Sequence, residues 1–201
     1  MSTIARKVPG FFALALALSL ALPASAGEAE DFVKGKLTGL SALVSQPKSA
    51  ENDKKVLAAF EVFDYEGLAK ATLRDTWDQR SPAERAEFSD VLKVLVQNAY
   101  RKNIKKTAGY SVEYLGEQEG DAGRVVRTIA SHKNAGDADK VSIDYVVHPV
   151  AGNWKVFDIV TEGSSLVRNY RNQFTKVIKK DGFEGLLKRM KAKRDKGGDV
   201  D

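Results

Sequence analysis

The chain has 201 residues, 32 Lys+Arg against 27 Asp+Glu, a formal net charge of +5, no cysteine and two histidines. The absence of cysteine excludes a disulfide framework, a thiolate nucleophile, a lipoprotein acylation site and any Cys-based zinc or iron–sulfur centre. His132 and His148 stand outside any ligand-spaced cluster, and the hydrophobic share of 43% is that of an ordinary folded core.

Residues 1–26 read as a cleaved secretory signal: Arg6 and Lys7 form the positive start, Phe11 to Leu22 is an apolar run broken by Ser19, and Ala24-Ser25-Ala26 supplies the small residues of a cleavage site. Twelve residues of helix cover roughly 18 Å, short of the roughly 30 Å hydrocarbon core, so the run does not read as a membrane anchor. Cleavage after Ala26 leaves 175 residues and, with Arg6 and Lys7 gone, lowers the net charge from +5 to +3. A disulfide-free exported protein points to a bacterial periplasm.

Residues 28 to about 108 carry helical spacing. Phe32, Val33, Leu37, Leu40 and Val44 mark a first helix closed by Pro47; Val56, Ala59, Phe60 and Phe63 mark a second; Leu68, Ala69, Leu73 and Trp77 mark a third. Ser81-Pro82-Ala83-Glu84 has the form of a capping box with proline at the first helical position. It opens a helix bearing Phe88, Val91, Leu92, Leu95, Val96, Ala99 and Tyr100.

From Tyr110 to Thr161 the period falls to two. Residues 111–115, 124–132, 140–148 and 153–161 are rich in Val, Ile, Thr and Tyr and bounded by turn residues. Val141, Ile143, Tyr145 and Val147 share one face of the third strand, with Ser142, Asp144, Val146 and His148 on the other. Short loops require antiparallel neighbours, which gives a four-stranded meander. After Gly163, Ser164 or Ser165 caps a helix with Leu166, Val167, Tyr170, Phe174, Val177 and Ile178. Asp181-Gly182 stops it, and Phe183, Leu186, Leu187 and Met190 form a last helix before a polar tail at 197–201. The expected fold is α+β: one domain over 27–196, helices packed on one face of a curved antiparallel sheet, of the NTF2-like or cystatin-like kind with a helical extension.

Chemistry is sparse. No dinucleotide fingerprint, P-loop, G-x-S-x-G or H-E-x-x-H occurs. The titratable candidates for a pocket are Asp64, Tyr65, Asp144, Tyr145, His148, Asp158 and Glu162. Asp158, mid-strand between Phe157 and Ile159, reads first as a structural carboxylate tying the strand to a helix end or loop, and second as a catalytic acid of a small cone-shaped α+β enzyme, a role Asp144 would share. Wide apolar helices facing an apolar sheet fit a filled core, the commoner outcome, and also a greasy cavity. Between Lys176 and Lys196 nine basic residues face three acidic ones, a local +6, and Arg101, Lys102, Lys105 and Lys106 form a smaller cluster. Such charge is either a solvated helix face or an attraction to an anionic membrane or acidic partner, with Lys188, Arg189 and Lys191 as the docking candidates. Nucleic acid is a poor fit, since no aromatic-plus-basic motif accompanies the charge.

Trp154 to Phe174 reads WKVFDIVTEGSSLVRNYRNQF. Its Trp154, Asp158, Gly163, Ser165, Tyr170, Arg171 and Phe174, with the Gly152-Asn153 turn and the D-G-F-E-G-L-L run from Asp181 to Leu187, resemble the signature of the MlaC, or toluene-tolerance auxiliary, family of periplasmic phospholipid-binding proteins. Phe63-Asp64-Tyr65 and the helix start at Ser81 match in kind and order. Hopanoid-biosynthesis-associated relatives in the same superfamily are the alternative. The resemblance implies a carrier without cofactor or metal: phospholipid is its cargo, and its partners are an outer-membrane lipoprotein–porin complex and an inner-membrane ABC transporter with a lipid-binding hexamer. It implies acyl chains buried between sheet and helices, whose exposure to water would cost on the order of 25 kcal/mol for two chains of roughly sixteen carbons.

On that reading the lining includes Val96, Tyr100, Val126, Ile143, Tyr145, Val147, Phe157, Ile159, Leu166 and Tyr170, each equally compatible with plain core packing. Trp154, Gly163 and Ser165 read as structural, with Gly163 as the turn and Ser165 as the cap, and Arg171 is expected to pair with Asp158. A small enzyme and an interaction module with a full core are the competing classes.

Overall fold

The computed structural model describes residues 27–47, 49–104, 109–132 and 140–198. The signal-peptide assignment, Lys105 and Lys106 of the smaller basic cluster, and the last three residues of the tail lie outside them.

The helical half opens with α1 (Glu28–Val44) and α2 (Ala50–Ala59). Ser49 caps α2 by accepting from the Asn52 amide at 3.0 Å. A single 3-10 turn, Phe60–Val62, leads into α3 (Tyr65–Leu73). The third helical run is broken where periodicity alone kept it whole. Arg74 adopts φ 50° and ψ −128°, ending α3 and starting the short α4 (Asp75–Asp78). A left-handed, non-glycine residue has no periodicity signature, so the break is invisible in the spacing of Leu73 and Trp77. The box before α5 (Pro82–Ile104) forms as expected: the Glu84 amide donates to Ser81 Oγ at 3.3 Å, and the Ser81 amide donates to the Glu84 carboxylate at 2.6 Å.

The sheet runs in the order β1-β2-β3-β4-β5, all neighbours antiparallel. Its four long strands are β1 (Tyr110–Gly120), β2 (Gly123–His132), β3 (Lys140–Val150) and β4 (Asn153–Thr161). The expected meander is present, extended by a two-residue β5, Ser164–Ser165. Gly163, at φ 73°, makes the turn between β4 and β5, a conformation that glycine adopts without steric cost. Ser165 then caps α6 (Leu166–Asp195) by accepting from the Arg168 amide at 3.0 Å. α6 is kinked at Gly182 (φ 72°, ψ 176°), so the stop signal at Asp181-Gly182 bends the chain between two helical stretches.

Two apolar cores result. The first is helical, with Leu68, Phe88, Leu92, Leu95, Val96, Phe174 and Leu186 of α3, α5 and α6. The second lies between the sheet and the N-terminal helices, with Ala29, Val33, Val56, Phe60, Phe63, Val126, Val147 and Val156. The register places Val126, Tyr145 and Ile159 in one row across β2, β3 and β4. This face lies under α1; on the other face Arg127 is exposed and Val125, Ile129 and Val146 are half-buried. Phe63 bridges to Val156 in parallel, and the Asp64 amide donates to the Val156 carbonyl at 2.9 Å, which fastens the helical half to β4.

Candidate functional site

α1 lies across the sheet and is fastened unevenly. At its N-terminal end Ala29, Glu30 and Val33 are buried. There the Glu117 carboxylate of β1 accepts from the Glu30 amide at 2.8 Å, an anion placed on the positive end of the helix. Glu117 sits beside the register shift between Tyr114 and Glu117, where Gly116 has φ 96°, and Arg124 approaches it at 3.7 Å. Further along, Leu37, Leu40, Leu43 and Val44 are only half-buried, and nothing lies within 4 Å of where side chains at Gly35 and Gly39 would begin.

Both flanks of α1 are open. On one side a groove of about 910 Å³ runs between α1, the end of α2 and the β3–β4 turn, walled by Phe32, Leu40, Leu43, Val62 and Trp154. That volume falls within the roughly 300–1,000 Å³ of small-molecule sites. On the other side a groove of about 510 Å³ separates α1 from the edge strand, with Leu37, Val112 and Tyr114 in its walls. The rims are cationic. Lys36, beside the larger groove, stands 5.7 Å from the Phe32 ring centre, and Lys34, beside the smaller, 5.7 Å from that of Tyr114.

The sequence-predicted lining divides between the two cores. Val96, Phe157, Leu166 and Tyr170 pack in or against the helical core. Val126, Tyr145, Val147 and Ile159 lie in or against the second core, under α1. Ile143 is half-buried one row further along the same sheet face. Tyr100 touches both cores, its ring 5.2 Å from Phe63 and 6.0 Å from Phe60. None of the ten forms the walls of the two open grooves, whereas Trp154, read as structural, does. Phe32, Leu43 and Val62 were missed as wall residues; the sequence signal was a helix carrying Gly35 and Gly39 on one flank, where a packed helix would carry side chains.

The titratable candidates are mostly occupied. Asp158 accepts from the Ser165 hydroxyl at 2.6 Å, the Val167 amide at 3.0 Å and its neighbour Ile159's amide at 2.9 Å. It is the structural carboxylate that ties β4 to the start of α6. The expected Arg171–Asp158 pair does not form. Donors of the first helical turn fill the carboxylate, and Arg171, further along α6, turns to α3 and donates from Nε to the Ala71 carbonyl at 3.0 Å. Asp64 caps α3 by accepting from the Gly67 amide and meets His148 Nε2 at 2.9 Å with its other oxygen. Tyr65 donates to the Phe60 carbonyl at 2.8 Å, and burial pushes its phenol far up. Asp144 is raised by partial burial, against the pull of Arg127. Glu162 accepts from the Ser142 amide. Among the described residues no cluster of three or more His, Asp or Glu has the geometry to hold a metal ion.

Of the docking candidates, Lys188 is exposed, Arg189 pairs with Asp181 and Lys191 pairs with Glu87. Among the described residues no helix is long and apolar enough to cross a membrane.

The model of the MlaC protein family matches residues 40–192. The chain belongs to the MlaC family. Among solved structures it is similar to a phospholipid-binding protein from Ralstonia solanacearum, determined in complex with a phospholipid. The two are 22% identical, with a TM-score of 0.72 over 85% of this chain and 99% of that one. The likeness establishes the α+β fold of the MlaC proteins for this chain: helices on an open antiparallel sheet, with the C-terminal helix returning against the helical core.

Proposed function

We propose that the protein is a periplasmic carrier that holds a phospholipid by its acyl chains and moves it between outer- and inner-membrane complexes, maintaining outer-membrane lipid asymmetry. Residues 1–26 direct its export and are removed, leaving a single lipid-binding domain over 27–196. The observation that carries this reading is α1 itself: a helix laid over an apolar sheet face, with an open apolar groove and a cationic rim on either flank. That arrangement suits an amphipathic anion, with chains against leucine and aromatic walls and phosphate near Lys34 or Lys36. Membership of the MlaC family and the phospholipid held by the Ralstonia protein support it.

Exchange between complexes needs no chemistry, because protein walls replace bilayer at similar free energy and the partners bias the direction. The protein is on this reading not an enzyme, and phospholipid is its cargo with no cofactor; the full hydrogen-bonding of Asp158 supports the same conclusion. Its partners are the lipoprotein–porin complex and the ABC transporter with its lipid-binding hexamer. Lys188, with Lys176, Lys179 and Lys180 on the exposed side of α6, offers a basic face to acidic partners or an anionic membrane.

Organic extraction of the purified protein, followed by lipid mass spectrometry, tests the carrier reading. Phospholipid recovered in amounts comparable to protein is the expected result. Its absence from protein produced in a Gram-negative periplasm would overturn the reading in favour of an interaction module.

A further inference from the structure

Buried polar groups in proteins are almost always hydrogen-bonded, and an exception calls for a partner the structure does not hold. Two half-buried phenols beside the second core face that requirement while keeping some accessible surface, so they border open space and not a sealed void. Tyr100, near the end of α5, lies where the helical core meets the sheet, its ring against Phe60 and Phe63. Tyr145 lies mid-strand in β3, paired with Val126 and Ile159, on the apolar face that α1 covers. Among the described residues neither hydroxyl has a hydrogen-bond partner, and neither is sealed: each keeps some accessible surface.

The surroundings do not supply the missing acceptor. Tyr100 lies within electrostatic reach of the phenols of Tyr170, Tyr145 and Tyr65 and of the Asp158 carboxylate. Tyr65 donates to the Phe60 carbonyl, and both Asp158 oxygens take donors from the first turn of α6 and from β4. Tyr145 is in turn within reach of Tyr114, which lines the 510 Å³ groove beneath Lys34. A line of phenols therefore leads from a cationic rim, through Tyr114 and Tyr145, to Tyr100 deep between the two cores. Each step inward loses charge but keeps a hydrogen-bond donor. A diacyl phospholipid loses polarity in the same order: phosphate, then ester carbonyls, then methylenes. Burial is the first cause that pushes the Tyr100 and Tyr145 phenols far above their ordinary range, so both are donors at any physiological pH.

We propose that Tyr145 and Tyr100 form a hydrogen-bonding subsite inside the apolar space under α1, donating to the ester carbonyl oxygens of a bound diacyl lipid. The inference rests on the lipid-binding reading and adds to it a ligand class: ester-linked lipids are preferred to ether-linked ones of equal chain length, which present no carbonyl.

The test uses purified, delipidated protein incubated with vesicles containing equal amounts of a diacyl phosphatidylglycerol and its dialkyl-ether analogue, with bound lipid quantified by mass spectrometry. Wild-type protein should enrich the diacyl lipid about tenfold, the worth of one to two net hydrogen bonds. Tyr145→Phe combined with Tyr100→Phe should bring that ratio near one, with an unchanged far-ultraviolet circular dichroism spectrum and urea midpoint showing that the variant is folded. Equal uptake of both lipids by wild type, or an unchanged preference in the double variant, overturns the subsite and leaves the carrier standing. Uptake of neither lipid by wild type overturns both.

Discussion

Asp158→Ala is the substitution that separates a fastening role from a catalytic one. It leaves the Ser165 hydroxyl and the Val167 amide without their acceptor at the start of α6. The site is buried, with Asp158 8% exposed, so water does not fully replace the lost partner. Hydrogen bonds to a charged group contribute about 1.5–3 kcal/mol each. Loss of two, with the favourable placement of an anion at the helix N-terminus, gives a cost of about 3–5 kcal/mol. Against a whole-domain stability of about 5–15 kcal/mol this is a large fraction. Urea unfolding followed by circular dichroism at 25 °C reads it directly. Asp158→Asn retains one carbonyl oxygen and should lose about half as much. A loss below about 1 kcal/mol for Asp158→Ala would refute the reasoning, since ordinary surface substitutions fall within about ±0.5 kcal/mol. Full stability with lipid transfer abolished would instead revive the enzyme.

Three further outcomes are expected. Arg74→Gly relieves a backbone at φ 50°, ψ −128° on an exposed residue, and should raise the urea midpoint by the equivalent of about 1 kcal/mol; a fall would mean that the Arg74 side chain matters more than its backbone. The backbone bond from Ser81, then that residue's hydroxyl, lowers the Glu84 carboxyl below its ordinary 4.5, so the stabilisation from the box is complete above that value and is lost as pH falls through the lowered one. The wild-type advantage over Ser81→Ala should therefore shrink in acid, and urea titrations at pH 7 and pH 3 that gave equal differences would contradict it. Glu117→Ala removes the anchor of α1, and hydrogen exchange should accelerate in residues 29–33 with little change in β2 and β3; uniform acceleration across the sheet would show that Glu117 supports the whole domain.

Local signals in the sequence translated into structure wherever both partners lie within a few residues. The Ser81–Glu84 box, the Gly163 turn, the Ser165 cap and the alternation of Ile143, Tyr145 and Val147 all formed as read, because each is decided within one turn or one strand. Asp158 was legible as a tie to a helix end for the same reason, its partners being seven and nine residues away. Arg171 was not: proximity in the motif suggested Asp158, while its partner Ala71 lies 100 residues earlier. The Glu117 anchor of α1, 87 residues from Glu30, was equally out of reach, and with it the recognition that α1 is the element flanked by open grooves. Such partners are chosen by how helices settle on a sheet, which no window of sequence encodes.

The uneven fastening of α1 bears on what the site tolerates. One wall of the space is a hydrogen-bonded ladder; the other is a helix held firmly at one end and by half-buried leucines at the other. A space bounded in this way would change its volume by tilting a single element, without breaking any strand pairing. On the proposed reading, longer or kinked chains would be accommodated by a small rotation about the Glu117 contact, and selectivity would fall on whatever touches the fixed wall. On the proposed carrier reading, such a protein would be indifferent to the length of its cargo and discriminating about its linkage chemistry.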